Sequence, residues 1–138
     1  MNVSYKESKE ISTSQLLALY NSVGWSAYTK DVETLAKAIQ GSSYVCSVWE
    51  KETLIALVRC ISDDASIMYL QDVLVDPQYQ QKGIGRILVH KALHRYSHVR
   101  QKVLLTDNRP EQMRFYESLG YKNTKDYETL NAFVQFKT

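Results

Sequence analysis

The stretch Tyr69-Leu70-Gln71-Asp72-Val73-Leu74-Val75-Asp76-Pro77-Gln78-Tyr79-Gln80-Gln81-Lys82-Gly83-Ile84-Gly85-Arg86 decides how the rest of the chain is read. Its first half reads as a strand over residues 66–75. The strand stops at Asp76-Pro77, because proline cannot donate to a central ladder. Its second half is a glycine loop that opens a helix. The first N–H groups of a helix have no partner inside it. With the helix dipole they attract an anion. Gly83 and Gly85 lack the Cβ atoms that would hold a pyrophosphate away from those N–H groups. Lys82 and Arg86 add positive charge beside them. A Walker loop, G-x-x-x-x-G-K-[ST], is absent, and Leu88 stands where a dinucleotide fingerprint has its third glycine. On this evidence alone, a loop needing positive φ explains the glycines as well as a phosphate ligand does.

Upstream, Tyr5 lies near a short first strand. Ser12-Thr13-Ser14-Gln15 reads as a capping box opening a helix that runs to about Ser22 and stops at Gly24. Asp31 caps a second helix, with Val32, Leu35, Ala36 and Ile39 on one apolar face and Gly41 at its end. Residues 44–49 and 54–61 form a hairpin through Glu50-Lys51-Glu52-Thr53, and Ser62-Asp63-Asp64 marks a turn into the strand quoted above. Downstream, Ile84, Leu88 and Ala92 stack on a helix that runs to about Ser97. A strand follows over 102–106. Pro110 suits the first turn of a helix ending at Gly120, and the last strands are predicted at 121–122 and 131–136. The order β-α-α-β-β-β-α-β-α-β-β describes an α/β fold with a mixed sheet, in one domain over residues 1–138.

Composition excludes several classes. With 44% hydrophobic and 23% charged residues and only two prolines, the chain suits a globular domain and not a disordered or fibrous one. No apolar run is long enough to span a bilayer, and the N-terminus has no apolar signal region, so the expectation is a cytoplasmic protein without a membrane partner. A net charge of +2 is too balanced to argue for nucleic acid, and no stacking motif surrounds Lys82, Arg86, Lys91, Arg95 and Arg100. Cys46 and Cys60 read as buried reduced thiols. His90, His94 and His98 recur every fourth residue without a carboxylate or cysteine to complete a metal set, so they read as a solvated stripe and no metal is expected.

Gln80-x-x-Gly83-x-Gly85 after Val75-Asp76-Pro77 resembles motif A of the GCN5-related N-acetyltransferase (GNAT) superfamily. About thirty residues later, Arg114-Phe115-Tyr116-Glu117-Ser118-Leu119-Gly120-Tyr121 resembles its second signature, and the element order is the superfamily's own. The resemblance implies acetyl-CoA as co-substrate, held where two parallel strands splay apart. Main-chain groups of Val73, Leu74 and Val75 would meet the acyl carbonyl and pantetheine. Gln80, Gln81, Lys82, Gly83, Ile84, Gly85 and Arg86 would surround the pyrophosphate. Asn108 resembles a family asparagine that contacts the cofactor.

Acyl transfer to an amine needs a proton acceptor, an oxyanion donor and a proton for the departing thiolate. By resemblance Tyr116 supplies that last proton. Asp72 is the candidate base; Gln71 stands where several relatives carry a first acid. Trp25 and Tyr28, in the loop between the early helices, suit an apolar or cationic amine, or else form a core tryptophan with a rim tyrosine. Together with Gln71 they are the substrate-binding candidates. The implied activity is acetyl transfer to a small-molecule primary amine, with a homodimer as the possible assembly. A non-catalytic acyl-CoA-binding module and an acetyltransferase of protein amines are the alternatives.

Overall fold

Residues 44–75 form three long antiparallel strands because their apolar side chains alternate or run continuously, and turn residues separate them. In the computed structural model, which describes residues 2–137, these are β2 (Tyr44–Glu50), β3 (Thr53–Ser62) and β4 (Ile67–Val75). Lys51 and Asp64 take positive φ at the two turns. The Asp63 carboxylate accepts the N–H groups of Ala65, Ser66 and Ile67 at 2.8–3.1 Å, which closes the second turn. β1 (Ser4–Lys6) adds antiparallel to β2, and β5 (Gln101–Val103) adds parallel to β4. The sheet order is β1-β2-β3-β4-β5.

The chain divides into two units, Met1–Leu104 and Leu105–Thr138. In the first, α1 (Thr13–Ser22) begins with the expected Ser12–Gln15 capping box, and α3 (Val32–Gly41) begins with Asp31 accepting the Thr34 N–H at 3.1 Å. Between them, where a loop is expected, lies a short helix, α2 (Ser26–Thr29). Leu16, Leu19, Tyr20, Leu35 and Ile39 pack with Val45, Trp49, Leu54, Leu57 and Leu74 into one core. The helix α4 (Ile84–Arg95) packs against β3 and β4, burying Ile84, Leu88, Val89 and Ala92.

The second unit contains α5 (Pro110–Ser118), Gly120 at φ 98°, and a 3-10 turn at Thr124–Asp126. Two expectations are corrected. The strand expected at 102–106 is Gln101–Val103. The strands expected at 121–122 and 131–136 are absent among the described residues, because no other strand pairs with those segments.

Candidate active site

Strand β4 is covered unequally on its two edges. Residues 68–75 pair with β3, but pairing with β5 is confined to Ile67–Gln101, Met68–Lys102 and Tyr69–Val103. From Leu70 to the end of β4, no described strand lies on the β5 side. Alternate main-chain groups there point away from β3 and need a partner. Val73, Leu74 and Val75 lie in this stretch. The ladder also slips at Arg59/Cys60, where Arg59 opposes Asp72 and Cys60 opposes Leu70. Gln71 is therefore the bulged residue, and the slip aligns Arg59 with Asp72.

The loop after β4 is built from short-range bonds. The Asp76 N–H donates to the Ile55 carbonyl at 2.8 Å, and the Asp76 carboxylate accepts the Gln78 N–H at 2.9 Å. Gln80 Nε2 donates to the Val75 carbonyl at 2.9 Å, fastening the loop to the end of β4. The Tyr79 hydroxyl bonds Glu50, and Lys82 Nζ lies 5.7 Å from the Tyr79 ring centroid. Gln81 and Gly83 both adopt left-handed φ, 62° and 85°. A Cβ at Gly83 would meet nothing within 4 Å, so the space beside this backbone is open. The Ile87 N–H reaches back to the Gly83 carbonyl at 3.1 Å, and Ile84, Gly85 and Arg86 occupy the first turn of α4. A strand edge with no ladder partner among the described strands, leading into a helix N-terminus beside Lys82 and Arg86, fits a peptide-like arm ending in a pyrophosphate. That is the shape of coenzyme A.

Asp72 is only 2% exposed, and it is the hub of a polar network. Oδ2 accepts Arg59 Nε at 2.6 Å and the Tyr20 hydroxyl at 2.9 Å. Oδ1 accepts the Tyr28 hydroxyl at 2.9 Å. Tyr28 Oη in turn accepts Arg59 Nη2 at 3.2 Å and Gln71 Nε2 at 3.1 Å. Arg59 Nη1 reaches Ser42 Oγ at 3.3 Å. Burial and the Asp72 charge hold the Tyr20 phenol far above its ordinary range and raise that of Tyr28 as well. The network thus ties the loop between α1 and α3 to the bulge in β4. Trp25, the N-cap of α2, and Tyr28, within it, are half-buried, with ring centroids 6.0 and 5.0 Å from Tyr20.

In the second unit, Tyr116 packs edge-on against Phe115 at 5.0 Å and Tyr121 at 6.0 Å. Burial pushes its phenol up to about 12, so it carries its proton at neutral pH. Asn108 is exposed, in the turn before α5.

The sequence reading found Asp72, Gln71 and Tyr28 but not that they touch, and it missed Arg59, Tyr20 and Ser42. One signal was present: Arg59 is a cation inside the apolar run 54–61, and arginine is almost never buried without a partner. His90, His94 and His98 are exposed, and the described residues contain no group of three or more potential metal ligands. Cys46 and Cys60 are free and buried, as expected.

A mixed sheet opened beside a glycine-loop helix defines an acyl-CoA-dependent acyltransferase. The chain belongs to the GNAT acetyltransferase family: residues 16–137 match the acetyltransferase (GNAT) domain, and the protein is an N-acetyltransferase of that family. An uncharacterized N-acetyltransferase, ycf52, of Pyropia yezoensis is 25% identical over 86% of this chain and 69% of its own length. A histone acetyltransferase, TAP1, of Glycine max is 29% identical over 82% of this chain and 53% of its own. Among solved structures, the GNAT-family acetyltransferase SP0256 of Streptococcus pneumoniae TIGR4 aligns with a TM-score of 0.84 and 25% identity, covering 99% of this chain and 100% of that one. Family members use acetyl-CoA as co-substrate and act on amines. No helix among the described residues is long and apolar enough to cross a membrane.

Proposed function

We propose that the chain acetylates the primary amine of a small molecule with an apolar or aromatic body. The observation that carries this reading is the Trp25–Tyr28 loop, tethered through Asp72 and Gln71 to the bulge where β4 loses its outer neighbour. Aromatic faces at that place favour an apolar body and tolerate a cationic amine on entry.

Main-chain groups of Val73, Leu74 and Val75 bind the acyl carbonyl and pantetheine. The N–H groups from Gln81 to Arg86 hold the pyrophosphate, and Asn108 contributes a cofactor contact. Gln80 keeps the loop closed on the Val75 carbonyl. Tyr116 gives its phenol proton to the departing thiolate. Asp72 accepts the proton of the incoming amine. Because its carboxylate is buried, the route runs through Tyr28. The ammonium displaces the Gln71 amide and donates to Tyr28 Oη, while Tyr28 passes its own proton to Asp72 Oδ1. Arg59 orients the carboxylate.

A panel of arylalkylamines, polyamines, an aminoglycoside and a lysine peptide, read by thiol release from acetyl-CoA, tests the acceptor. The arylalkylamines should turn over best. Inert arylalkylamines beside an active aminoglycoside or peptide would refute the pocket reading.

A further inference from the structure

Asp72 shares its side of the sheet with an apolar strip. Residues opposite each other in a ladder, and residues two apart along a strand, present their side chains to one face. Arg59 opposes Asp72, Ile61 opposes Tyr69, and Tyr69 opposes Val103 on its other side. Ile61 follows Arg59 by two places on β3, and Ile67 precedes Tyr69 by two on β4. The bulge brings Gln71 to the same face, since its amide bonds Tyr28 Oη, the atom that also bonds Asp72. This face therefore carries Ile67, Tyr69, Gln71 and Asp72 in order along β4, flanked by Ile61 and Val103. Cys60 and Leu70, paired on the opposite face, are buried.

The strip is open at one end. Helices α1 and α3 cover this face around Leu57 and Leu74. Beyond Arg59 that cover stops: Ile61 is 44% exposed and Ile67 38%, with Tyr69 and Val103 half-buried between them. Burial and then the Asp72 charge raise the Tyr69 phenol, so its ring lies within electrostatic reach of the carboxylate. The four steps from Ile67 to Gln71 cover about 13 Å of strand.

We infer that this strip is a track for the apolar tail of the acceptor. The amino group meets Tyr28 Oη in place of the Gln71 amide, and the tail runs over Tyr69 toward Ile61 and Ile67. The inference rests on the acceptor reading given above and adds a direction and a length to it: the preferred substrate is a primary amine with an extended alkyl or arylalkyl tail, and Ile61, Ile67 and Tyr69 set that preference. The carboxylates at both ends speak against a polyamine. Asp72 already accepts three donors, Asp63 is filled by Ser66 and the N–H groups of its own turn, and Asp64 by Arg95 and His98. A second ammonium would have to displace one of them. The strip is also small for a protein partner, whose standard interface takes roughly 20–30 residues a side.

The test is a homologous series of linear amines, from butylamine to octylamine, read by thiol release from acetyl-CoA. KM should fall about twofold for each added methylene, less than full burial would give because the track is open on one side. In the double variant Ile61→Thr with Ile67→Thr, which keeps β-branching at two exposed positions, the series should flatten and the octylamine KM should rise about fivefold or more, with acetyl-CoA affinity by calorimetry and the melting temperature unchanged. Each single variant should show part of that rise. Diaminooctane should gain nothing over butylamine. A flat series in the unaltered enzyme, a slope that survives in the double variant, or an equal gain for diaminooctane overturns the track while the acceptor reading stands. If every alkylamine and arylalkylamine is inert beside an active aminoglycoside or lysine peptide, the acceptor reading falls and the track with it. A light-scattering mass that drops in the double variant would assign the strip to a second copy of the chain and overturn the inference too.

Discussion

The surroundings of Asp72 and those of Tyr116 are built by opposite means. Around Asp72, which is itself buried on β4, one strand (β3) and two helices (α1 and α2) fill the carboxylate oxygens with named donors. Around Tyr116, order comes from ring contacts along one short stretch of chain, and no described residue from 105 onward is buried. The difference teaches where robustness resides. The first region is fixed by its own core, and its polar atoms cannot be changed singly. The second has little core of its own, so its tyrosine can be altered with small cost to folding.

The largest expected effect breaks that contrast on the chemical side. Tyr116→Phe should lower kcat by about 10²–10⁴, leaving acetyl-CoA affinity and thermal stability nearly unchanged; steady-state kinetics with calorimetry reads both. Wild-type turnover in this variant would return Tyr116 to packing. Because burial lifts the phenol to about 12, rising pH should not remove the donated proton, and so should not depress the rate, until that region.

Next in size is the ion pair. Arg59→Met or Asp72→Leu alone should cost about 3–5 kcal/mol in urea unfolding, since each leaves a buried charge unpaired. The double variant should recover most of that stability, because both charges are gone. If Asp72 also takes the amine proton, the double variant will be folded and slow, with the loss smaller at high pH where solvent has already removed that proton. A stable double variant with a wild-type pH–rate profile would make the pair purely structural.

A smaller effect is expected at the glycine loop. Gly83→Val places a branched residue at left-handed φ, costing roughly 1–2 kcal/mol, and fills the open space beside the helix N-terminus. Acetyl-CoA affinity should fall about tenfold or more by calorimetry while Tyr116-dependent chemistry on the bound fraction persists. The last effect is global. Burial is the leading cause of the raised phenols of Tyr20, Tyr28, Tyr44 and Tyr116. Between the unfolded phenol range near 10 and the higher folded values, the unfolded state binds fewer protons. Stability should therefore decline as pH rises through that window, and denaturant midpoints measured from pH 8 to 11 would show it.

What was legible in the sequence was local. Capping at Ser12 and Asp31, the stop at Gly24, and the strand-loop-helix around Gly83 depend on residues a few positions apart, and the structure has each of them. What depended on register was not legible. Arg59 meets Asp72 only because the ladder slips at Arg59/Cys60, and nothing in the spacing announces a bulge. The strand expected at 131–136 failed for a related reason: alternation shows that a segment can enter a ladder, whereas spacing does not say whether the chain brings it to one. The candidate residues for the chemistry were visible by type and motif, but the hydrogen bonds joining Tyr28, Gln71 and Asp72 across more than forty positions were not.

The two thiols on neighbouring strands have a practical consequence. Burial raises the pKa of the Cys46 thiol and pushes that of Cys60 up to about 12, so neither presents a thiolate while the fold is intact. A disulfide reagent that counts released coenzyme A will then see little background from the enzyme itself. When a chain opens it exposes both sulfurs at once, so the same colour reaction, run without acetyl-CoA, becomes a clock for unfolding.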